Sequence, residues 1–423
     1  MNALIKSATI VNSQSPFNGK TVDILIEKGI IKKIAASIKN TEKVQEVKAK
    51  DLHVSIGWFD LRANFCDPGF EHKEDLNSGL KAAAKGGFTG VLVMPNTNPT
   101  TDTKGGIEYI INKSKNNIVT AYPAGALSVK CEGNEMAEMY DMHQAGAVAF
   151  TDNKKSVNNP GLLTRAMLYN QSFNGLVMDF PNDKYLFNNG QINEGITSTR
   201  LGLKGIPAIA EELMVIRDLF LAEYCNATIH LTNITTKKSV QLIKEAKAKG
   251  IKVTADTNSY HLLLDETELE TFDSNLKVLP PLRTKDDIKA LIKGIKEGVI
   301  DAICSDHTPQ DIEMKQCEFD HAKFGMINLQ TSFASMNTAL NGKVELQQMI
   351  DLITVNPRKI LNLDLPKIKE GEMANLTLFS PTETTKTGVA DIVSKSKNTP
   401  LVDRILTGKV YGIVNQNKLE ISL

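Results

Sequence analysis

The chain has 423 residues, 41% of them hydrophobic and 23% charged, with Lys+Arg and Asp+Glu equal at 49 each. This is the composition of a globular protein long enough for one large domain and a smaller satellite. Zero net charge gives no reason for a nucleic-acid or anionic-membrane partner, and no apolar run of about 18 residues offers a membrane span. Five cysteines, without a Cys-x-x-Cys pair, point to reduced thiols. The opening Met1-Asn2-Ala3-Leu4-Ile5-Lys6 lacks the apolar core of a secretory signal, so the expected compartment is the cytoplasm.

In chain order, residues 1–55 alternate apolar and polar with a period near two, broken at Asn18-Gly19 and Lys28-Gly29. Short antiparallel strands are expected, and they need partners to bury a face. The tail from 367 supplies them in Ala374–Phe379 and Val410–Val414. Residues 1–55 and 367–423 are therefore expected to form one composite β-sandwich domain.

Residues 56–366 have another rhythm. An apolar segment at Ile56–Leu61 is followed by seven more, at 90–94, 118–122, 147–150, 175–178, 227–231, 251–255 and 301–304. Helical patterns lie between them, clearest at 80–85, 136–145, 211–224, 237–249 and 285–297. Eight strands alternating with helices predict an α/β fold, a TIM-type (β/α)8 barrel, with its chemistry at the C-terminal strand ends.

Those ends are polar. They carry Arg62 and Asn64 after strand one and Asn96 after strand two. Asp152, Asn153 and Lys154 follow strand four, Asp179 strand five, Asn233 strand six and Asp306 strand eight. Any one of them could be an ordinary loop residue, but the ring as a whole predicts a site.

Several stretches resemble bacterial dihydroorotases of the amidohydrolase superfamily: Gly69–Asp75, Ala82–Thr89, Met94-Pro95-Asn96-Thr97-Asn98-Pro99, Gly205–Ala208 with Glu211-Glu212, Pro280-Pro281-Leu282-Arg283 and Ser394–Pro400. The resemblance implies reversible cyclisation of carbamoyl-aspartate to dihydroorotate at two zinc ions, in a homodimer. The family's ligands are His-x-His on strand one, an Asp after strand four, His after strands five and six, and an Asp after strand eight that is also the acid/base. Matched by motif, these positions are Arg62, Asn64, Asn153, Asp179, Asn233 and Asp306. Only Asp306 keeps the family's residue, and Asp152 beside Asn153 leaves the strand-four register open. Of the substrate-binding positions Asn96 is kept, while Cys66, Leu279 and Gln310 replace the family's Arg, Asn and His.

Asn is a poor zinc ligand, and Arg has no free lone pair. A guanidinium about 4 Å from a dication costs roughly 8 kcal/mol at an effective dielectric of about 20. No resident cofactor is therefore expected. A single weak ion between Asp179, Asp306 and Asp152 is the alternative.

Arg62 is expected to fill the metal space and pair with Asp306 across neighbouring strands, and with Asp179. Lys154 occupies the place where related amidohydrolases carry a carboxylated Lys. Among the histidines, His261 and His321 are loop candidates for the pocket, His230 is expected in a barrel-core or hydrogen-bonding role, and His307 is expected to point away from Asp306. Cys66 is a nucleophile candidate without a placed His.

The leading expectation is a non-catalytic dihydroorotase homologue. Such homologues are thought to act as scaffolds for aspartate transcarbamoylase. The alternatives are an active cyclic-amide hydrolase with one weak metal or none, and a small-molecule sensor.

Overall fold

Eight short parallel strands follow one another around a ring: Trp58–Ala63, Phe88–Val93, Thr120–Gly125, Ala149–Phe150, Val177–Asp179, Ile229–Leu231, Val253–Asn258 and Ala302–Cys304. Each pairs in parallel with the next. The ring closes where Ala63 pairs in parallel with His307. The computed structural model describes residues 1–41 and 43–422. Among them no helix is long and apolar enough to cross a membrane.

The floor of the barrel is packed with Phe59, Leu61, Leu92, Met94, Met178 and Ala302, all buried. Helices cover the outside. The helix Leu76–Lys85 starts where Asp75 accepts a hydrogen bond from the Ser78 N–H at 2.8 Å, and it buries Leu80, Ala83 and Ala84 against the strands. Helices at Lys104–Lys113, Pro160–Asn170 and Ser332–Leu340 add to the five expected.

Both chain ends meet in one sheet. Its hydrogen-bonded order runs Lys418–Ile421, Ile405–Asn415, Leu376–Lys386, His53–Ile56, Ala3–Ile10, Thr21–Glu27, Ile30–Ala35, with Gln45–Val47 also pairing with Ala3–Ile10. Neighbours are antiparallel except at the two pairings of Ala3–Ile10 with Gln45–Val47 and His53–Ile56. Gly57 passes the chain from sheet to barrel, where any Cβ would overlap Thr89 and Asn375. Next to it the single Trp of the chain, Trp58, packs its ring against Phe88, Phe333 and Phe379. One aromatic cluster thus joins barrel strands, outer helix and sheet.

One irregularity positions the site. Asp60 pairs with Val91 and Ala63 with Val93, so the first strand carries one residue more than its neighbour between these pairs. A bulge of this kind re-aims side chains at a barrel rim. It allows Leu61 to pack in the barrel floor while Arg62 reaches into the mouth. Strands one and eight are also tied by Asp60. The Ser305 N–H and hydroxyl donate to its two oxygens at 2.7 and 2.6 Å, and burial pushes its carboxyl up to about 7.

Candidate functional site at the barrel mouth

The strand ends converge on a network of amides. Arg62 is fully buried, and its Nη1 donates to Asn153 Oδ1 at 2.5 Å. The Asn153 amide nitrogen donates to Asn64 Oδ1 at 2.7 Å and to Asn96 Oδ1 at 2.8 Å. Asn64 in turn donates to the His307 carbonyl and the Thr308 hydroxyl at 2.9 and 3.0 Å. Asn96 sits exposed at the rim. Asn153, Asn233 and Asp306 have φ of 54°, 59° and 52°. The left-handed region is one that Asn and Asp tolerate better than most residues, and such backbone clusters at functional sites.

Asp306 lies deeper. Its Oδ2 accepts from Lys154 Nζ at 2.7 Å, Tyr260 hydroxyl at 2.5 Å and Asn258 at 3.4 Å. Lys154 also donates to the Leu279 carbonyl, and its ammonium lies 5.4 Å from the Phe180 ring centroid. Burial pulls the Lys154 pKa below its ordinary value, and the same burial with Asp306 alongside drives the Tyr260 phenol well up. The pairing expected between Arg62 and Asp306 is not formed: among the described residues no carboxylate lies within 4.0 Å of the Arg62 guanidinium, and Lys154 takes its place. Adjacent strands bring backbones together, but the bulge turns Arg62 toward strand four. Asp179 is likewise taken, by Arg217 at 3.1 Å, not by Arg62. Burial beside Asp218 holds Asp179 well above the usual carboxylate range.

The strand-four register resolves geometrically. Asn153 faces the mouth. Asp152 turns away to accept from the Leu127 and Ser128 N–H groups at 3.0 and 2.9 Å and from the Ser128 hydroxyl. Burial raises Asp152 to about 6. The expected alternative of one ion between Asp152, Asp179 and Asp306 therefore has no shared centre.

Strand seven supplies residues the sequence did not flag. Asp256 receives the Asn233 N–H at 2.7 Å and faces His230 Nε2 at 2.9 Å. Asn233 donates to Asn258 at 2.5 Å. His261 is buried in the same network: Asn258 donates to its Nδ1 at 3.0 Å, and its Nε2 donates to the Pro280 carbonyl at 3.1 Å. That pattern needs a neutral ring, and burial pushes its pKa down to about 3. Strand seven runs to Asn258, three residues beyond the apolar run, and its polar Asp256-Thr257-Asn258 end hid it.

Other candidates fall outside the mouth. His321 is on the surface beside Glu318 and Asp320. His307 accepts from the Asn328 and Leu329 N–H groups and faces Glu74, away from Asp306 as expected. Burial pushes the Cys66 thiol up to about 12, against the thiolate form that a nucleophile needs. Gln310 donates to the Phe324 carbonyl at 2.8 Å. A groove of about 760 Å³, lined by Lys154, Lys155, Asn134, Asn159 and Leu279 among others, opens beside the mouth.

Comparison with known proteins decides the family. A Dihydro-orotase-like family model matches residues 53–239, and an Amidohydrolase family model matches 194–411. A protein named dihydroorotase from Carboxydothermus hydrogenoformans is 41% identical, covering 99% of each chain. Another, from Ruminiclostridium cellulolyticum, is 39% identical over 97% of this chain and 96% of its own. The chain belongs to the dihydroorotase family. In fold it matches the L-hydantoinase (dihydropyrimidinase) of Arthrobacter aurescens, with a TM-score of 0.85 at 20% identity over 100% of this chain and 97% of that one.

Amidohydrolases of this kind usually use zinc, so the donor set of this family member can be tested for fit. Catalytic zinc takes imidazole, thiolate or carboxylate ligands that converge from several strands. Here Arg62, Asn64, Asn153 and Asn233 offer no such donor. Asp306 is held by an ammonium and a phenol, and Asp179 by a guanidinium. Among the described residues the one group of three potential ligands that converge is Glu318, Asp320 and His321, all exposed and outside the mouth. The residues at the barrel mouth do not fit a dinuclear zinc centre.

Proposed function

We propose that this chain is a non-catalytic member of the dihydroorotase family of pyrimidine biosynthesis, acting as a homodimeric structural partner of aspartate transcarbamoylase. One observation carries the loss of catalysis: the acid/base position, Asp306, is bonded to the Lys154 ammonium inside a mouth whose other ligand positions are amides, a guanidinium and an Asp179 already paired with Arg217. The Lys154 ammonium and the Tyr260 hydroxyl occupy its Oδ2, its Oδ1 is buried without a hydrogen-bond partner among the described residues, and the amides around it cannot make hydroxide from water near neutral pH. Cys66 and Leu279, at the positions that bind substrate in the family, offer it neither a cation nor an amide. The transcarbamoylase partnership rests on the resemblance to scaffold homologues.

A second reading has its own support. Curated relatives named dihydroorotase match 95–100% of the chain at 35–41% identity, which favours an ordinary dihydroorotase. A dihydroorotate hydrolysis assay with and without added zinc separates the two. The scaffold reading expects no turnover above background in either condition, and a rate of about 1 per second or more would establish the enzyme. Co-purification with aspartate transcarbamoylase from the native cell tests the partnership, and a sensor would purify alone.

A further inference from the structure

The helix Ile209–Cys225, between strands five and six, is amphipathic in an unusual sense. Its inner face buries Met214, Val215, Leu219 and Ala222 against the barrel. Its outer face is apolar as well. Ile209, Leu213, Ile216, Phe220 and Tyr224 are each 46–77% exposed. Spaced by four, three, four and four residues, they fall within an arc of about 80° and run roughly 22 Å along the helix. A surface helix normally turns charged residues outward, and single exposed apolar residues need no explanation. Five in register form a continuous stripe. Near the helix start the exposed Tyr185 follows two residues after Asp183, whose N–H donates to the Ala210 carbonyl at 2.8 Å.

We infer that this stripe is the contact through which two copies of the chain dimerise. The inference rests on the homodimer of the proposed function and assigns its surface. Three observations select a second copy as the occupant. The stripe is symmetric about the Ile216 turn, so an antiparallel two-fold sets Ile209 of one copy opposite Tyr224 of the other, and Leu213 opposite Phe220. Aliphatic ends then meet aromatic ends, which makes the surface self-complementary, as an isologous interface requires. The same crossing opposes the two helix dipoles and brings no charged residue onto the axis. The apolar area is also of the right size. Five half-exposed large side chains with Tyr185 offer on the order of 700 Å² per copy, above what a monomer ordinarily leaves in one patch and close to one side of a standard interface. Arg62, Asn64, Asn153 and Asp306 lie on other elements, whereas Tyr185 also lines the groove beside Lys154, so the contact borders that groove.

Sedimentation velocity on the full chain at micromolar concentration is the test, with Ile216→Glu as the variant. The parent is expected to run as a dimer and Ile216→Glu as a monomer with an unchanged circular dichroism spectrum. A dimer that persists in Ile216→Glu would overturn this surface while leaving the homodimer standing. A monomeric parent would overturn both. If Ile216→Glu fails to fold, Ile216→Cys in a Cys317→Ser background decides. Treatment with a short bismaleimide should give a covalent dimer from Ile216→Cys and none from Cys317→Ser alone. Absence of that product would overturn the assignment.

Discussion

Lys154 Nζ and Asp306 Oδ2 lie 2.7 Å apart at the centre of the barrel mouth, joining the ends of strands four and eight. The family resemblance implies metal ligands at those two strand ends. Here a side-chain cation from the chain itself neutralises the carboxylate. Asp306 is buried, and the Lys154 side chain keeps 20% of its surface exposed.

Removing one member of a buried pair strands the other. Lys154→Met should therefore destabilise the chain by about 3 kcal/mol in urea unfolding. Asp306→Asn added to Lys154→Met should recover part of that loss. Full additivity of the two single losses would mean that the residues do not interact.

Arg62 and Arg217 make opposite predictions. Among the described residues Arg62 has no carboxylate partner, and its Nε and Nη2 have no hydrogen-bond partner. Arg217 holds both Asp179 and Asp218. Arg62→Met keeps the volume and removes an uncompensated charge, so its stability should change by less than about 1 kcal/mol. Arg217→Met leaves two buried carboxyls side by side and should cost about 3 kcal/mol. Equal losses would contradict this assignment.

The barrel was legible because its strands are short apolar runs at regular spacing, and the composite sheet because both ends alternate with a period of two. The polar ring was legible because barrel chemistry sits after the strands. Its pairing was not. Strand order predicts which backbones are neighbours, but a one-residue bulge between Asp60 and Ala63 decides where Arg62 points. The strand-four register was undecidable from sequence because Asp152 and Asn153 are both polar, and only the left-handed turn at Asn153 sends one inward. Strand seven was read too short because Asp256, Thr257 and Asn258 are polar yet fully buried inside the barrel. The role of Lys154 is not legible in the sequence because its partner Asp306 lies 152 residues away, beyond any local pattern.

His261 gives a pH signature. Its folded pKa of about 3 lies below the ordinary 6.5, so below pH 6.5 the unfolded chain takes up a proton that the folded chain refuses. This contribution to stability is present above pH 6.5 and is lost as the pH falls toward 3, by up to about 1.4 kcal/mol per pH unit. The parent should lose stability relative to His261→Gln between pH 6 and pH 4. A difference that stays flat over that range would mean the ring is protonated in the fold.

The mouth should accept metal if the donors that the family resemblance implies are installed. A variant carrying Arg62→His, Asn64→His, Asn153→Asp, Asp179→His and Asn233→His, with Lys154→Met to remove the ammonium, should show a zinc-dependent rise in Tm. Zinc at one hundred times its Kd would add about 2.7 kcal/mol. The parent should show no rise. A rebuilt chain indifferent to zinc would mean that the backbone positions have moved from the family arrangement.

The most direct test of the account is the zinc content of the parent chain after equilibration with excess zinc and exhaustive dialysis, measured by atomic emission. A mouth lined by amides, a guanidinium and an ammonium-bound Asp306 should retain no stoichiometric zinc. Two zinc ions per chain, lost on Asp306→Asn, would contradict it.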